Sequence, residues 1–149
     1  MQSIVPQVLV IEDDTAFAAM LDYNLVACNF AVEWFNCGAG ASKRLSRAPY
    51  PDLVLLDLKL PGMSGLELLR RMRCVPETRT VPVIVMTCHS KPGDREFVCT
   101  AGATDFVAKG APILALLSRI RCLLEPMERR TTFPWGQPPR VTSWEQQSE

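Results

Sequence analysis

Three consecutive acids, Glu12-Asp13-Asp14, close the first apolar run of the chain, and a lone aspartate, Asp57, closes the third. Carboxylates gathered on one rim repel. Two of them about 4 Å apart cost roughly 4 kcal/mol at an effective dielectric of about 20, a penalty met by a proton or a cation. Mg²⁺ takes one or two carboxylates plus a phosphate oxygen and keeps several waters, so it suits this donor set better than Zn²⁺. Asp14 alone reads as the N-cap of the following helix. Asp57 reads differently. It follows a strand of apolar residues and precedes Leu58-Lys59-Leu60-Pro61-Gly62, so its carboxylate stands at a sheet edge where a loop opens to solvent, as suits a nucleophile. Thr87 and Lys109 end the fourth and fifth apolar runs, adding a hydroxyl and an ammonium able to hold a phosphoryl oxygen. Each alone is an ordinary boundary residue. Acids, Asp57, Thr87 and Lys109 together point to phosphoryl chemistry.

Residues so placed need a sheet to carry them. Strand-like runs recur at Gln7 to Ile11, Phe30 to Phe35, Asp52 to Leu56, Val81 to Met86 and Thr104 to Val107, each followed by a helical segment, which predicts five β-then-α units. Val8-Leu9-Val10-Ile11, Leu53-Val54-Leu55-Leu56 and Val83-Ile84-Val85-Met86 are apolar throughout, as strands of a parallel sheet covered on both faces must be. Phe17, Met20, Leu21 and Leu25 in the first helix, and Ile113, Leu116, Leu117, Ile120 and Leu124 in the last, predict stripes packed on that sheet. Ser64 with Glu67 predicts a capping box for the third helix, and Gly102 a left-handed close to the fourth. Right-handed crossovers then make an α/β doubly wound three-layer sandwich that binds ligands at the carboxyl ends of its strands.

The chain has 149 residues, 48% hydrophobic and 21% charged, with 16 Lys+Arg against 16 Asp+Glu, which suits one globular domain and excludes a disordered polyelectrolyte. No basic surface for nucleic acid is indicated, so no direct nucleic-acid binding is expected. Apolar runs fall short of the roughly 18 residues of a membrane helix. The N-terminal Met1-Gln2-Ser3-Ile4-Val5-Pro6 lacks a basic segment followed by an apolar core. A cytoplasmic protein without membrane association is therefore expected. Cys28, Cys37, Cys74, Cys88, Cys99 and Cys122 form no C-x-x-C, and His89 is the sole histidine, which fits neither a zinc site nor a disulfide scaffold. Most of these cysteines are expected to be buried, reduced thiols. Gly38-Ala39-Gly40-Ala41-Ser42-Lys43 lacks G-K-[S/T] and is expected to be a loop and helix start. Beyond Glu125 come Pro126, Pro134, Pro138 and Pro139, so a domain over 1–124 and a Pro-containing tail or linker over 125–149 are predicted. Phe133, Trp135 and Trp144 are expected to be mostly solvated in that tail, which is too short for a DNA-binding or enzymatic output domain.

The runs V-L-V-I-E-D-D, D-L-V-L-L-D-L-K-L-P-G-M-S-G-L-E-L, V-P-V-I-V-M-T and A-G-A-T-D-F-V-A-K reproduce, in order and spacing, the motifs of the response regulator receiver domain of two-component systems. The chain resembles that family over about residues 6 to 124. The resemblance implies a flavodoxin-like (βα)5 fold with a parallel five-stranded sheet in the order 2-1-3-4-5. It makes Asp57 the phosphoacceptor, Asp13 a direct Mg²⁺ ligand, Glu12 an outer ligand and the main-chain carbonyl of Lys59 a further one. Thr87 then bonds the phosphoryl group, Lys109 pairs with it, and Phe106 is the aromatic switch position. The implied partners are a sensor histidine kinase or histidine phosphotransfer protein upstream and a protein target downstream. The domain is implied to be a signalling phosphoacceptor rather than a classical enzyme, taking part only in its own phosphotransfer and autodephosphorylation. Its output face is expected on the fourth helix, fifth strand and fifth helix. Leu114 and Leu123 leave two readings there, a homodimer contact or a broad core stripe. Lys59 and His89 flank the route of the hydrolytic water, with an inert loop side chain as the alternative for His89.

Three positions depart from the family pattern. Gly110 stands where proline is usual, with Pro112 two residues later; a non-proline cis bond costs about 2.5 to 4 kcal/mol, so the family's cis peptide is in question. Cys88 is bulkier than the small residue expected, and Phe106 lacks the hydroxyl of tyrosine. A hydrolase of the haloacid dehalogenase type needs a second aspartate in D-x-D, which Asp57-Leu58-Lys59 lacks. The remaining rival is a receiver-like adaptor that works without phosphorylation.

Overall fold

The computed structural model describes residues 5–88 and 91–124, so the expectations for His89 and for the tail from Glu125 lie outside the described residues. Strands and helices alternate as β1 Gln7–Ile11, α1 Thr15–Ala27, β2 Ala31–Phe35, α2 Gly38–Leu45, β3 Leu53–Asp57, α3 Gly65–Cys74, β4 Val83–Thr87, α4 Asp94–Thr100, β5 Asp105–Ala108 and α5 Ile113–Leu124. The strands form one parallel sheet in the order β2-β1-β3-β4-β5, the flavodoxin-like arrangement expected. Four strands start one or two residues after the apolar runs that announce them. Two of the preceding amides are spent in turns, Phe30 N donating to Leu25 O and Val81 N to Thr78 O, while those of Asp52 and Thr104 donate to Gln7 O and Val83 O of neighbouring strands.

Every residue of β3 and of β4 is buried, as the unbroken apolar runs require. On one face Leu9, Ile11, Val54, Leu56, Val83 and Val85 cluster with Leu45 of α2, Leu68, Leu69 and Met72 of α3, and Val98 of α4. The alternate residues Val8, Val10, Leu53, Leu55, Ile84 and Met86 are equally buried on the other face. In α1 the buried positions are Ala18, Leu21 and Leu25, while Met20 is exposed, contrary to the stripe predicted for it. At 100° per residue Met20 stands about 130° from the mean direction of those three. The chain divides into two compact units, residues 1–111, which carry the sheet and α1–α4, and a second unit from Pro112 that carries α5. Within α5, Leu116, Leu117, Ser118 and Ile120 are buried and Leu114 is exposed. Among the described residues no helix is long and apolar enough to cross a membrane.

Cysteine burial is a correction. No disulfide joins the cysteines among the described residues; Cys74, Cys88 and Cys99 are exposed, and the other three are half-buried. Helical geometry explains two of them, because Cys74 and Cys99 stand 200° and 100° from the buried Met72 and Val98 on their own helices.

Local chemistry shapes the loops that lead to the strand ends. Ser64 Oγ accepts the Glu67 amide at 3.2 Å and starts α3, while the Glu67 carboxylate pairs with Arg71 rather than closing the box. Gly102 ends α4 with φ +118, as predicted, and its carbonyl accepts Arg73 Nε at 2.7 Å. Gly65 matters most for the site, since a Cβ there would lie 2.1 Å from the carbonyl oxygen of Asp57. Only a residue without a side chain lets α3 begin against the backbone of the aspartate. Gly65→Ala is therefore expected to lower the unfolding free energy by about 2 kcal/mol in urea titrations. Gly110→Ala, where a Cβ meets nothing within 4 Å, is expected to be neutral or slightly stabilising.

Candidate functional site

The carboxyl ends of β1, β3, β4 and β5 bring the chemistry together. Glu12 follows β1 directly, its amide donating to Phe35 O at 3.0 Å and its carbonyl accepting Trp34 Nε1 at 2.8 Å. Held on both sides by β2, the Glu12 side chain turns inward and is wholly buried. Asp57, the last residue of β3, is 5% exposed. Asp13 is exposed, and one carboxylate oxygen from each of Glu12, Asp13 and Asp57 lies within 4.8 Å of the others. Asp14 stays out of this cluster: its Oδ1 accepts the Phe17 amide at 3.1 Å and caps α1, as its sequence position suggests.

Lys109, one residue beyond β5, crosses to the acids. Its amide donates to Thr87 O at 2.8 Å, which ties it to the end of β4. Its ammonium donates to Glu12 Oε1 at 2.8 Å and to Asp57 Oδ2 at 3.2 Å, and stands 2.6 Å from Glu12 Oε2. The Lys59 amide takes the other Asp57 oxygen, Oδ1, at 3.2 Å. Thr87 is buried at the end of β4, opposite Ala108 in the ladder, and Phe106 is buried in β5 among the core residues. Cys88, next to Thr87, is exposed. The one cis peptide among the described residues is Ala48–Pro49, so the Lys109–Gly110 bond is trans.

Three carboxylates gather where one ammonium pairs with two of them, so acidic groups outnumber basic ones in a partly desolvated place. Burial pushes the Glu12 carboxyl up to about 7, outweighing the hydrogen bonds from Lys109 and the Asp14 amide, and the nearby Asp57 charge adds to the rise. Burial works against the Lys109 ammonium, yet its bonds to Glu12 and Asp57 more than offset this and hold it above the ordinary lysine value. Oxygen donors, a surplus of acidic groups and one exposed acid facing solvent make a set that fits a hard divalent cation such as Mg²⁺.

Two residues near this site carry roles that the sequence pattern did not assign. Trp34 looks like a strand residue, yet its indole N–H secures the Glu12 carbonyl, a use for the polar end of an exposed tryptophan. Phe17 looks like part of a core stripe, but its ring centroid stands 4.9 Å from Lys109 Nζ. A tryptophan on an edge strand is a weak signal for the first, and nothing local signals the second.

Because folded Glu12 keeps a proton that the unfolded chain releases near 4.5, its contribution to stability is complete below about pH 4.5 and lost as pH rises through about 7. In metal-free buffer the unfolding free energy, measured relative to Glu12→Gln, is expected to fall by on the order of 2 kcal/mol between pH 4.5 and pH 8. A flat difference across that range contradicts the assignment.

Comparison with known proteins agrees with this geometry. The family model of the response regulator receiver domain matches residues 8–121. The phosphate regulon transcriptional regulatory protein PhoB of Rhizobium meliloti (strain 1021) is 38% identical over 121 residues, covering 81% of this chain and 53% of that protein. The chain thus spans about half the length of the curated relatives it matches. Among solved structures, the receiver domain of a signal transduction histidine kinase from Syntrophus aciditrophicus is 31% identical with a TM-score of 0.75, over 87% of this chain and 97% of that one. The receiver domain of the sensor histidine kinase PA1611 of Pseudomonas aeruginosa PAO1, described with a magnesium ion coordinated in its active site cleft, is 26% identical with a TM-score of 0.75, over 83% and 100% of the two chains. With the motifs, the strand order and the acidic rim in agreement, the chain belongs to the response regulator receiver domain family of two-component signalling.

Proposed function

We propose that this receiver accepts a phosphoryl group on Asp57 from the phosphohistidine of a sensor histidine kinase or a histidine phosphotransfer protein. The observation that carries the proposal is the Asp57 carboxylate itself: buried at a strand end, beside two other acids, and in contact with the Lys109 ammonium. An oxygen of Asp57 forms the new bond to phosphorus as the bond from phosphorus to the imidazole nitrogen breaks, and the histidine departs with the electron pair. Lys109 and Thr87 serve the equatorial oxygens of the transferring group, positioned before the reaction begins. Glu12, Asp13, Asp57 and the Lys59 carbonyl hold Mg²⁺, with Glu12 acting from the outer shell. When bound, that ion offsets the negative charge of acids and phosphoryl oxygens. The same groups serve water when the aspartyl phosphate is hydrolysed, so the signal limits itself.

The charged phosphoryl group then draws Thr87 and the loop after β4 inward, and Phe106 follows as the second switch residue. A coupling of about 1 to 3 kcal/mol shifts the balance between two shapes without abolishing either. The downstream target is a protein that meets the changed surface at α4 and β5, where Phe97 stands exposed. Exposed Leu114 and Leu123 of α5 offer a self-association contact, decided by sedimentation at two concentrations. The receiver occupies 1–124 and the tail 125–149, and cysteines without a disulfide among the described residues suit a reducing cytoplasm.

The adaptor reading draws on one observation: Lys109 already satisfies Glu12 and Asp57, while the backbone beyond it at Gly110 lies in open space. Incubation with acetyl phosphate and Mg²⁺ separates the two. The phosphoacceptor gains the mass of one phosphoryl group, loses that gain in Asp57→Ala or with chelator, and slows roughly 100-fold in Lys109→Ala. No gain from this donor or from a cognate kinase leaves the adaptor.

A further inference from the structure

The Lys109 ammonium has three attractors: Glu12, Asp57 and the ring of Phe17. Two of these are anions that a divalent cation at the acidic rim claims for itself. The third is an uncharged π face, which no hard cation displaces by competing for oxygen donors. The ring is also well anchored. Phe17 lies in the first turn of α1, where Asp14 Oδ1 accepts its amide at 3.1 Å and Asp14 O accepts the Ala18 amide at 2.9 Å. The backbone around Lys109 is held as well, the Lys109 amide donating to Thr87 O at 2.8 Å and the Ala111 amide to Ala108 O at 3.0 Å, which leaves the long side chain as the part that the ring can position. The lysine side chain is 11% exposed, so water screens the ring contact little.

We infer that Phe17 is a positioning residue for Lys109, keeping its ammonium at the rim when a divalent cation takes over the carboxylates. The inference rests on the phosphoacceptor reading for its consequence and on the ring contact for its substance. Losing the π face while keeping an apolar side chain then leaves the acids intact and lets the ammonium wander.

The test uses the full chain with Mg²⁺ and acetyl phosphate, comparing Phe17→Leu with Phe17→Tyr. Phe17→Leu is expected to accept phosphate about 10-fold more slowly at saturating Mg²⁺, with Mg²⁺ affinity and melting temperature little changed, and Phe17→Tyr is expected to restore the rate. A second readout needs no phosphorylation. With ¹³C-labelled lysine, the ε-methylene signal of Lys109, assigned by its loss in Lys109→Arg, is expected upfield from the ring current and to stay there as Mg²⁺ is added. In Phe17→Leu it moves to the ordinary lysine position. An unshifted signal in Mg²⁺-loaded wild type, or a Phe17→Leu variant that reacts at the wild-type rate, overturns the inference. If wild type takes no phosphoryl group, the phosphoacceptor reading fails and the methylene signal alone decides the role of Phe17.

Discussion

The ion pairs that Lys109 makes across the rim are the constraint on which the site turns. Glu12 and Asp57 are buried where carboxylates are costly, and one ammonium, 97 residues from the first and 52 from the second, serves both. Burial pushes the Glu12 carboxyl upward, and the ammonium works against that rise. With a third acid, Asp13, close by, a single positive charge settles the cluster only in part, and the Glu12 carboxyl stays pushed up to about 7. That residual imbalance makes the rim receptive to a cation and to a group that brings oxygen atoms with it. Stability and reactivity here come from one electrostatic compromise.

Backbone geometry protects the compromise. Gly65 lets α3 start against the Asp57 carbonyl, and the Lys59 amide satisfies the Asp57 oxygen that Lys109 leaves. Glu12 is aimed inward because β2 grips its backbone at both amide and carbonyl. Farther off, the Arg73 guanidinium donates to Gly102 O, Thr78 O, Arg79 O and Val81 O, so α3, the approach to β4 and the close of α4 are tied by one side chain. Phe106 lies in the same core as Val85 and Val98, which connects the strand bearing Lys109 to α4 through packed side chains. A change at the rim therefore meets a firmly held floor.

Departures from expectation share one cause. Met20, Cys74 and Cys99 have the chemistry of core residues, but the helix face that carries each is fixed by neighbours distant in sequence, and that face looks outward. Phe17 shows the converse, an apolar residue of the expected stripe whose ring stands beside an ammonium. Hydrophobic spacing is enough to place a helix and too coarse to assign the borders of its buried stripe.

Strand type and parallel pairing were legible in the sequence, because apolar runs without alternation must be covered on both faces. So were the caps at Asp14 and Ser64, which depend on hydrogen bonds spanning three residues. Motif order also marked Glu12, Asp13, Asp57, Thr87 and Lys109 as residues of one rim. What only the tertiary structure decided is who touches whom there: that Lys109 bridges Glu12 and Asp57, that Trp34 holds Glu12, and that Phe17 faces the ammonium. Caps and periodicity are local, set within a turn or two of chain. Charge pairing acts through space, so it becomes defined only once the strands are laid side by side.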